Sequence, residues 1–263
     1  MKCKYLLLCS ITLLLSALTA TAMPLKKAPA REFYQLSVYH IKDKAQESRL
    51  DKFLSAAYLP ALHRSGIKNV GVFKTLNIDT ASDKKVYVFI PFKSLAEFLK
   101  TSKLLETDKE IGTKGDDYLN AAYNDAPYVR IETILMEAFS QAPLMKKPSF
   151  DTPKSERIYE LRSYESATEK LYRNKVAMFD KEEVEIFERI GSKPVFYGEV
   201  IAGSRMPNLI YLTTYRNMAS RTEQWKKFSD DPRWKRVSAL PEYQHNVSKN
   251  DTRFLVPTDY SDF

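Results

Sequence analysis

The stretch Arg157-Ile-Tyr-Glu-Leu-Arg-Ser-Tyr164 repeats, in diverged form, the stretch Phe33-Tyr-Gln-Leu-Ser-Val-Tyr39. At a constant offset of 125 residues, Tyr34 matches Tyr159, Leu36 matches Leu161 and Tyr39 matches Tyr164; further on, Arg64, Gly66 and Lys68 match Arg189, Gly191 and Lys193. An offset held through strand, helix and turn positions means one supersecondary unit written twice.

Each copy reads strand, helix, strand, strand, helix, strand. In the second, Ile158 to Tyr164 alternates in strand fashion, and Lys170 to Ile190 carries a helical apolar stripe with room for a break. Gly191 stands where a helix end wants a residue tolerant of positive φ. Val195 to Ile201 and Leu209 to Tyr215 form a hairpin, Asn217 is a candidate helix N-cap, and residues 253–256 make a last strand. In the first copy, Phe33 to Tyr39 is a strand, Ser48 to Ser65 a helix, and Val70 to Leu76 with Val86 to Phe92 a hairpin. Ser94 to Leu105 is a second helix and Tyr128 to Ala138 the final strand.

The order βαββαβ is the ferredoxin-like unit, with helices on one face of an antiparallel sheet. The other face is bare and must be covered. The expected fold is therefore α+β: two tandem ferredoxin-like units, residues 31–140 and 154–263, packed sheet to sheet as a dimeric α/β-barrel. Residues 141–153 between them, with Pro143, Pro148 and Pro153, have the composition of a Pro-rich linker.

The N-terminus predicts a compartment. Lys2 and Lys4 precede an apolar run from Leu6 to Leu18, and Ala20-Thr21-Ala22 supplies a small-x-small cleavage site, so residues 1–22 read as a signal peptide. Residues 23–30 read as a flexible leader. A secreted or periplasmic protein follows, with no stable membrane insertion after cleavage. Both cysteines, Cys3 and Cys9, fall inside that signal, so the mature chain is expected to be thiol-free. The formal charge of +8 falls to +6 without Lys2 and Lys4, and the basic residues are interleaved with acidic ones. No nucleic-acid stripe is present.

The string Glu156-Arg-Ile-Tyr-Glu-Leu-Arg-Ser-Tyr164 resembles the opening of the NIPSNAP domain. Phe187-Glu-Arg-Ile-Gly191, Pro194-Val-Phe-Tyr-Gly198, Leu209-Ile-Tyr-Leu-Thr-Thr-Tyr215, and Trp225-Lys-Lys-Phe228 with Asp231-Pro-Arg-Trp234 are similar to the same family. Together these patches span most of residues 156–240. The first unit looks like a diverged copy, lacking both tryptophans and the charged pair of the first strand. The resemblance implies the dimeric α/β-barrel superfamily, which includes haem-handling enzymes, cofactor-free monooxygenases and members with no known activity, so it names a fold and leaves function open.

Strand alternation puts Tyr159, Leu161 and Ser163 on one face and Ile158, Glu160, Arg162 and Tyr164 on the other. With the helices over the first set, the second set is expected to point into the barrel, joined by Phe33, Gln35, Ser37 and Tyr39 of the first unit and by Tyr211, Thr213 and Tyr215. The candidate ligand-binding residues are accordingly Glu160, Arg162, Tyr164, Tyr39 and Tyr211, in a cavity suited to a small molecule with an apolar body and a polar handle. A bland alternative is that Glu160 and Arg162 pair with each other, which by itself indicates neither binding nor catalysis.

His40, His63 and His245 read as surface residues. No metal-ligand spacing, hydrolase elbow or Gly-rich phosphate loop appears, so neither metal nor cofactor is expected. Trp225, Phe228 and Trp234 read as core or dimer-contact aromatics. The leading functional reading is a small-molecule-binding module without established catalysis. The alternatives are a cofactor-independent oxygenase-like enzyme and a protein–protein interaction module, with a homo-oligomer as one form of partner. Enclosed space beside Glu160 and Arg162 would favour the first two, and a site packed by tyrosines the third.

Overall fold

The computed structural model describes residues 30–263. The predicted signal peptide, the cleavage site and nearly all of the leader lie outside the described residues. Among the described residues, no helix is long and apolar enough to cross a membrane.

The first unit runs β1 (Phe33–His40), α1 (Lys44–Phe53), a π turn (Leu54–Tyr58), α2 (Leu59–Arg64), β2 (Gly71–Thr75), β3 (Lys85–Phe92), α3 (Leu95–Glu106), α4 (Lys109–Lys114), α5 (Asp116–Leu119) and β4 (Arg130–Ala138). The second runs β5 (Ile158–Glu165), α6 (Glu169–Met178), a π turn (Phe179–Glu183), α7 (Val184–Arg189), β6 (Lys193–Ala202), β7 (Asn208–Tyr215), α8 (Met218–Asp230), α9 (Pro232–Ser238) and β8 (Lys249–Pro257). The expected βαββαβ order holds in both.

The duplication extends to local chemistry. The two π turns stand at the 125-residue offset, each closing a backbone hydrogen bond five residues long, from Leu59 to Leu54 and from Val184 to Phe179. Gly66 (φ 93°) and Gly191 (φ 77°) end the paired helices in the left-handed region, where a Cβ is strained. Asp108 and Asp231 cap α4 and α9 with their carboxylates and bind the paired Arg64 and Arg189 at 2.8 and 2.7 Å. Asn217 caps α8 in a reciprocal box with Ser220.

All eight strands close into one antiparallel barrel in the order β1-β3-β2-β8-β5-β7-β6-β4. The seams between units are β2–β8, with Phe73 opposite Pro257, and β4–β6, with Ala138 opposite Gly198. The linker is pinned along this wall by Met145 N–H to Glu32 and Lys146 N–H to the Val195 carbonyl, at 2.7 and 2.8 Å.

Closing eight strands leaves an interior just wide enough for side chains. Tyr34, Phe89 and Phe196 meet there across the two units, with Phe89 and Phe196 stacked at 4.6 Å. Phe73 and Tyr159 make a second cross-unit pair at 4.7 Å. Phe263 folds back against Phe73 and Phe89 and is 1% exposed, filling one end of the barrel. Helices cover the outside of each half over separate apolar clusters.

The buried ring of Phe263 predicts that Phe263→Ala destabilises the fold by about 3 kcal/mol, the cost of an unfilled aromatic site. A fall in Tm of roughly 6–12 °C in a thermal melt is the expected reading.

Candidate functional site

Period-two alternation defines two faces of β5 but not which one is covered. Tyr159 and Leu161 belong to the barrel interior together with Tyr34 and Leu36. Glu160, Arg162 and Tyr164 face outward, into the gap beneath the second unit's helices. The expectation that they line the barrel is therefore corrected. The cause is physical: the closed interior is dry and takes the large apolar set, whereas the helix–sheet gap receives hydrogen-bond donors from α8.

Within that gap Glu160 is fully buried. Its carboxylate accepts from Arg162 Nε at 2.7 Å, from Arg221 Nε and Nη2 at 2.8 Å each, and from Trp225 Nε1 at 2.8 Å. Burial pushes its pKa up, but these donors outweigh burial and hold it below the usual carboxylate value. The Arg162 guanidinium sits over the Trp225 ring, 3.8 Å from its centroid, and donates to the Tyr164 hydroxyl at 3.0 Å. Tyr164 in turn meets the Tyr211 hydroxyl at 2.8 Å. Burial raises the Tyr211 hydroxyl far above its ordinary value, so it stays protonated.

Four of the five predicted residues, Glu160, Arg162, Tyr164 and Tyr211, thus come together. Tyr39 does not: it belongs to the first unit's helical layer, edge-on to Tyr128 at 5.9 Å. Arg221 and the hydrogen-bonding role of Trp225 were missed. Their spacing of four on α8 was the available signal, masked by the many charges around it. A second buried ion pair, Lys175 with Glu183, joins α6 to the π turn beneath the Tyr164, Phe179 and Trp234 rings. His63 is exposed and paired with Asp262 at 2.9 Å. Among the described residues, no group of three or more His, Asp or Glu could hold a metal ion.

The first unit differs at the equivalent place. Gln35 and Ser37 stand where the second unit has Glu160 and Arg162. The N-caps Ser94 and Asn217 fix the second-helix offset at 123, so Phe98 replaces Arg221 and Ser102 replaces Trp225. Without the indole and the guanidinium planes, a cleft opens between the sheet and α3. It measures about 300 Å³ and is lined by Phe53, Tyr58, Leu62, Ile90, Phe92 and Leu105, with Gln35 and Thr101 as polar points. Gln35 donates to Ser37 at 2.8 Å, leaving its carbonyl without a partner among the described residues. Three hydrogen bonds stitch α8 to β5, whereas none among the described residues ties α3 to β1.

Glu160 is thus a buried anion held by donors from two elements. Glu160→Gln is expected to cost about 3 kcal/mol or more, since it leaves both guanidiniums short of a partner. Because the folded carboxyl sits below its ordinary value of 4.5, its contribution is present above that pH and fades as pH falls through the folded value. An acid-unfolding titration of Glu160→Gln should be shallower below about pH 4.5 than that of the parent.

Structural comparison finds the whole barrel in monooxygenase-like proteins. One from Lactobacillus acidophilus is 13% identical with a TM-score of 0.55, over 86% of this chain and 94% of its own. One from Fusobacterium nucleatum is 8% identical with a TM-score of 0.58, over 87% of this chain and 93% of its own. At such identities the likeness is one of fold. A NIPSNAP family protein from Agrobacterium tumefaciens is 22% identical over 45% of this chain and 97% of its own, with a TM-score of 0.37. No curated protein matches the sequence. The NIPSNAP family model matches residues 159–262, a span that falls within the second unit.

Proposed function

We propose that the chain is an exported small-molecule-binding protein whose ligand site is the cleft between α3 and the sheet of the first unit. The observation that carries this reading is the asymmetry of the duplication. The same place is filled by Arg162, Arg221 and Trp225 in one copy and left open in the other. The NIPSNAP half supplies a rigid, internally bonded wall and the diverged half supplies space. Export rests on Lys2, Lys4, the apolar run from Leu6 and the Ala20-Thr21-Ala22 site.

The lining defines the ligand. Among the described residues no cation borders the cleft, and its polar points are an amide carbonyl, hydroxyls and Glu106 at the rim. A neutral, mostly apolar molecule with one hydrogen-bonding group fits, and the volume lies at the small end of the range for small-molecule sites. A proton-abstracting oxygenase would need a base beside its substrate. Of the ionisable groups here, Tyr58 is pushed up to about 12 by burial, and Glu106 stands at the rim. The chemistry of the lining favours retention over turnover.

Ser102→Trp tests this reading, because it builds into the first unit the side chain that fills the second, with Gln35 placed to accept from the indole. The parent protein should bind the neutral dye Nile red with a rise in fluorescence, and the variant should bind it at least tenfold more weakly with unchanged circular dichroism. Equal binding by the variant, or no binding by the parent, would refute it.

A further inference from the structure

A cavity of about 270 Å³ lies where the linker, the turn after α7, the end of β7 and the first turns of α8 meet. That is room for roughly nine waters at about 30 Å³ each, and so for a molecule of monosaccharide size. Ser192, Thr214 and Gln224 line it, together with Phe150 of the linker and two cations, Lys193 and Arg216. The β6–β7 register sets Lys193 opposite Thr214, which brings the ammonium and the hydroxyl to one side of the sheet. Among the described residues Lys193 forms no ion pair. Arg216 reaches only Asp151, at 3.9 Å and with that carboxylate 97% exposed, a contact that contributes little in water.

Three buried polar atoms at this cavity have no hydrogen-bond partner among the described residues: Ser192 Oγ, Thr214 Oγ1 and Gln224 Oε1. Ser192 is 9% exposed and Thr214 1%. The Ser192 backbone N–H is spent on the Phe187 carbonyl at 2.9 Å, which fixes the turn and leaves the hydroxyl free. The Thr214 hydroxyl approaches that of Tyr159 without a hydrogen bond of ordinary geometry. Buried polar groups left unpaired are costly. The first copy shows that the fold does not require these hydroxyls. Tyr159 faces Thr214 across the β5–β7 ladder, whereas its counterpart Tyr34 faces Pro91. At the 125-residue offset Ile67 stands for Ser192 and packs into the first unit's apolar cluster. The cations are kept, as Lys68 and Lys93, so the second unit adds the hydroxyl lining to a charge that both copies share.

We propose that this cavity is a second binding site, for a small anion that also carries hydroxyl groups, of the sugar-acid class. Its carboxylate lies between Lys193 and Arg216, and its hydroxyls pair with Ser192, Thr214 and Gln224. The Gln224 oxygen only accepts, so it calls for a donor that a bare carboxylate lacks. The apolar edge of the ring rests on Phe150. This site is independent of the first-unit cleft, whose lining suits a neutral, mostly apolar molecule.

Isothermal titration calorimetry with three six-membered rings tests it: glucuronate, cyclohexanecarboxylate and methyl glucoside. Glucuronate should bind at millimolar concentration or below, and the analogues lacking the hydroxyls or the charge at least tenfold more weakly. Arg216→Ala, at an exposed position, should weaken glucuronate at least tenfold. Thr214→Val should do the same while leaving the Tm of the ligand-free protein unchanged or higher, because it removes an unpaired hydroxyl. Ser102→Trp should leave glucuronate affinity unchanged, which separates this site from the cleft. A lower Tm for ligand-free Thr214→Val, equal affinity for all three probes, or no glucuronate binding by the folded parent would overturn the proposal.

Discussion

A ferredoxin-like sheet buries one face under its own helices and leaves the other uncovered, and every larger feature of this chain follows from that constraint. Two such sheets rolled into one eight-strand barrel cover both bare faces at once and remove the open edges as well. The interior thus created is narrow, and aromatic rings from both units fill it. Open space is therefore displaced from the barrel axis to the helix–sheet gap. That gap is closed in the second unit by a network centred on Glu160 and open in the first.

The Glu160 network is tightly packed, and both its tyrosine hydroxyls are engaged. Ion pairs of this kind contribute little net stability against an apolar alternative but strongly penalise the loss of one partner. They fix α8 on β5 in one arrangement. The counterpart helix α3 has no such tie, and Leu95, Leu99 and Leu104 lie along it at 40–58% exposure. Elements held by few buried contacts open at low free-energy cost, which suits a helix that covers a cleft.

Fold was legible because it is written twice: Tyr34 with Tyr159, Leu36 with Leu161 and Gly66 with Gly191 mark positions that any copy of the unit needs. The short helices α4, α5 and α9 were not read, since four to seven residues give too few turns for a periodic stripe. The site was half legible. Alternation correctly grouped Glu160, Arg162 and Tyr164 but carried no sign, so the group was set on the wrong side of the sheet. Position 102 could not be singled out from the sequence, because a serine in place of a tryptophan signals only absence. Its meaning appears once the two N-caps align the helices.

The seam between β2 and β8 joins Phe73 to Pro257, a separation of 184 residues (257 minus 73). Contacts so distant along the chain bear the full entropy of loop closure before they return any stabilisation, and folds that depend on them form slowly. Until the last strand is in place, β2 has an unpaired edge and the aromatic interior of the first unit is open to water. The barrel therefore closes only once β8 has been added. A chaperone that shields β2 until β8 arrives would work with this topology rather than against it.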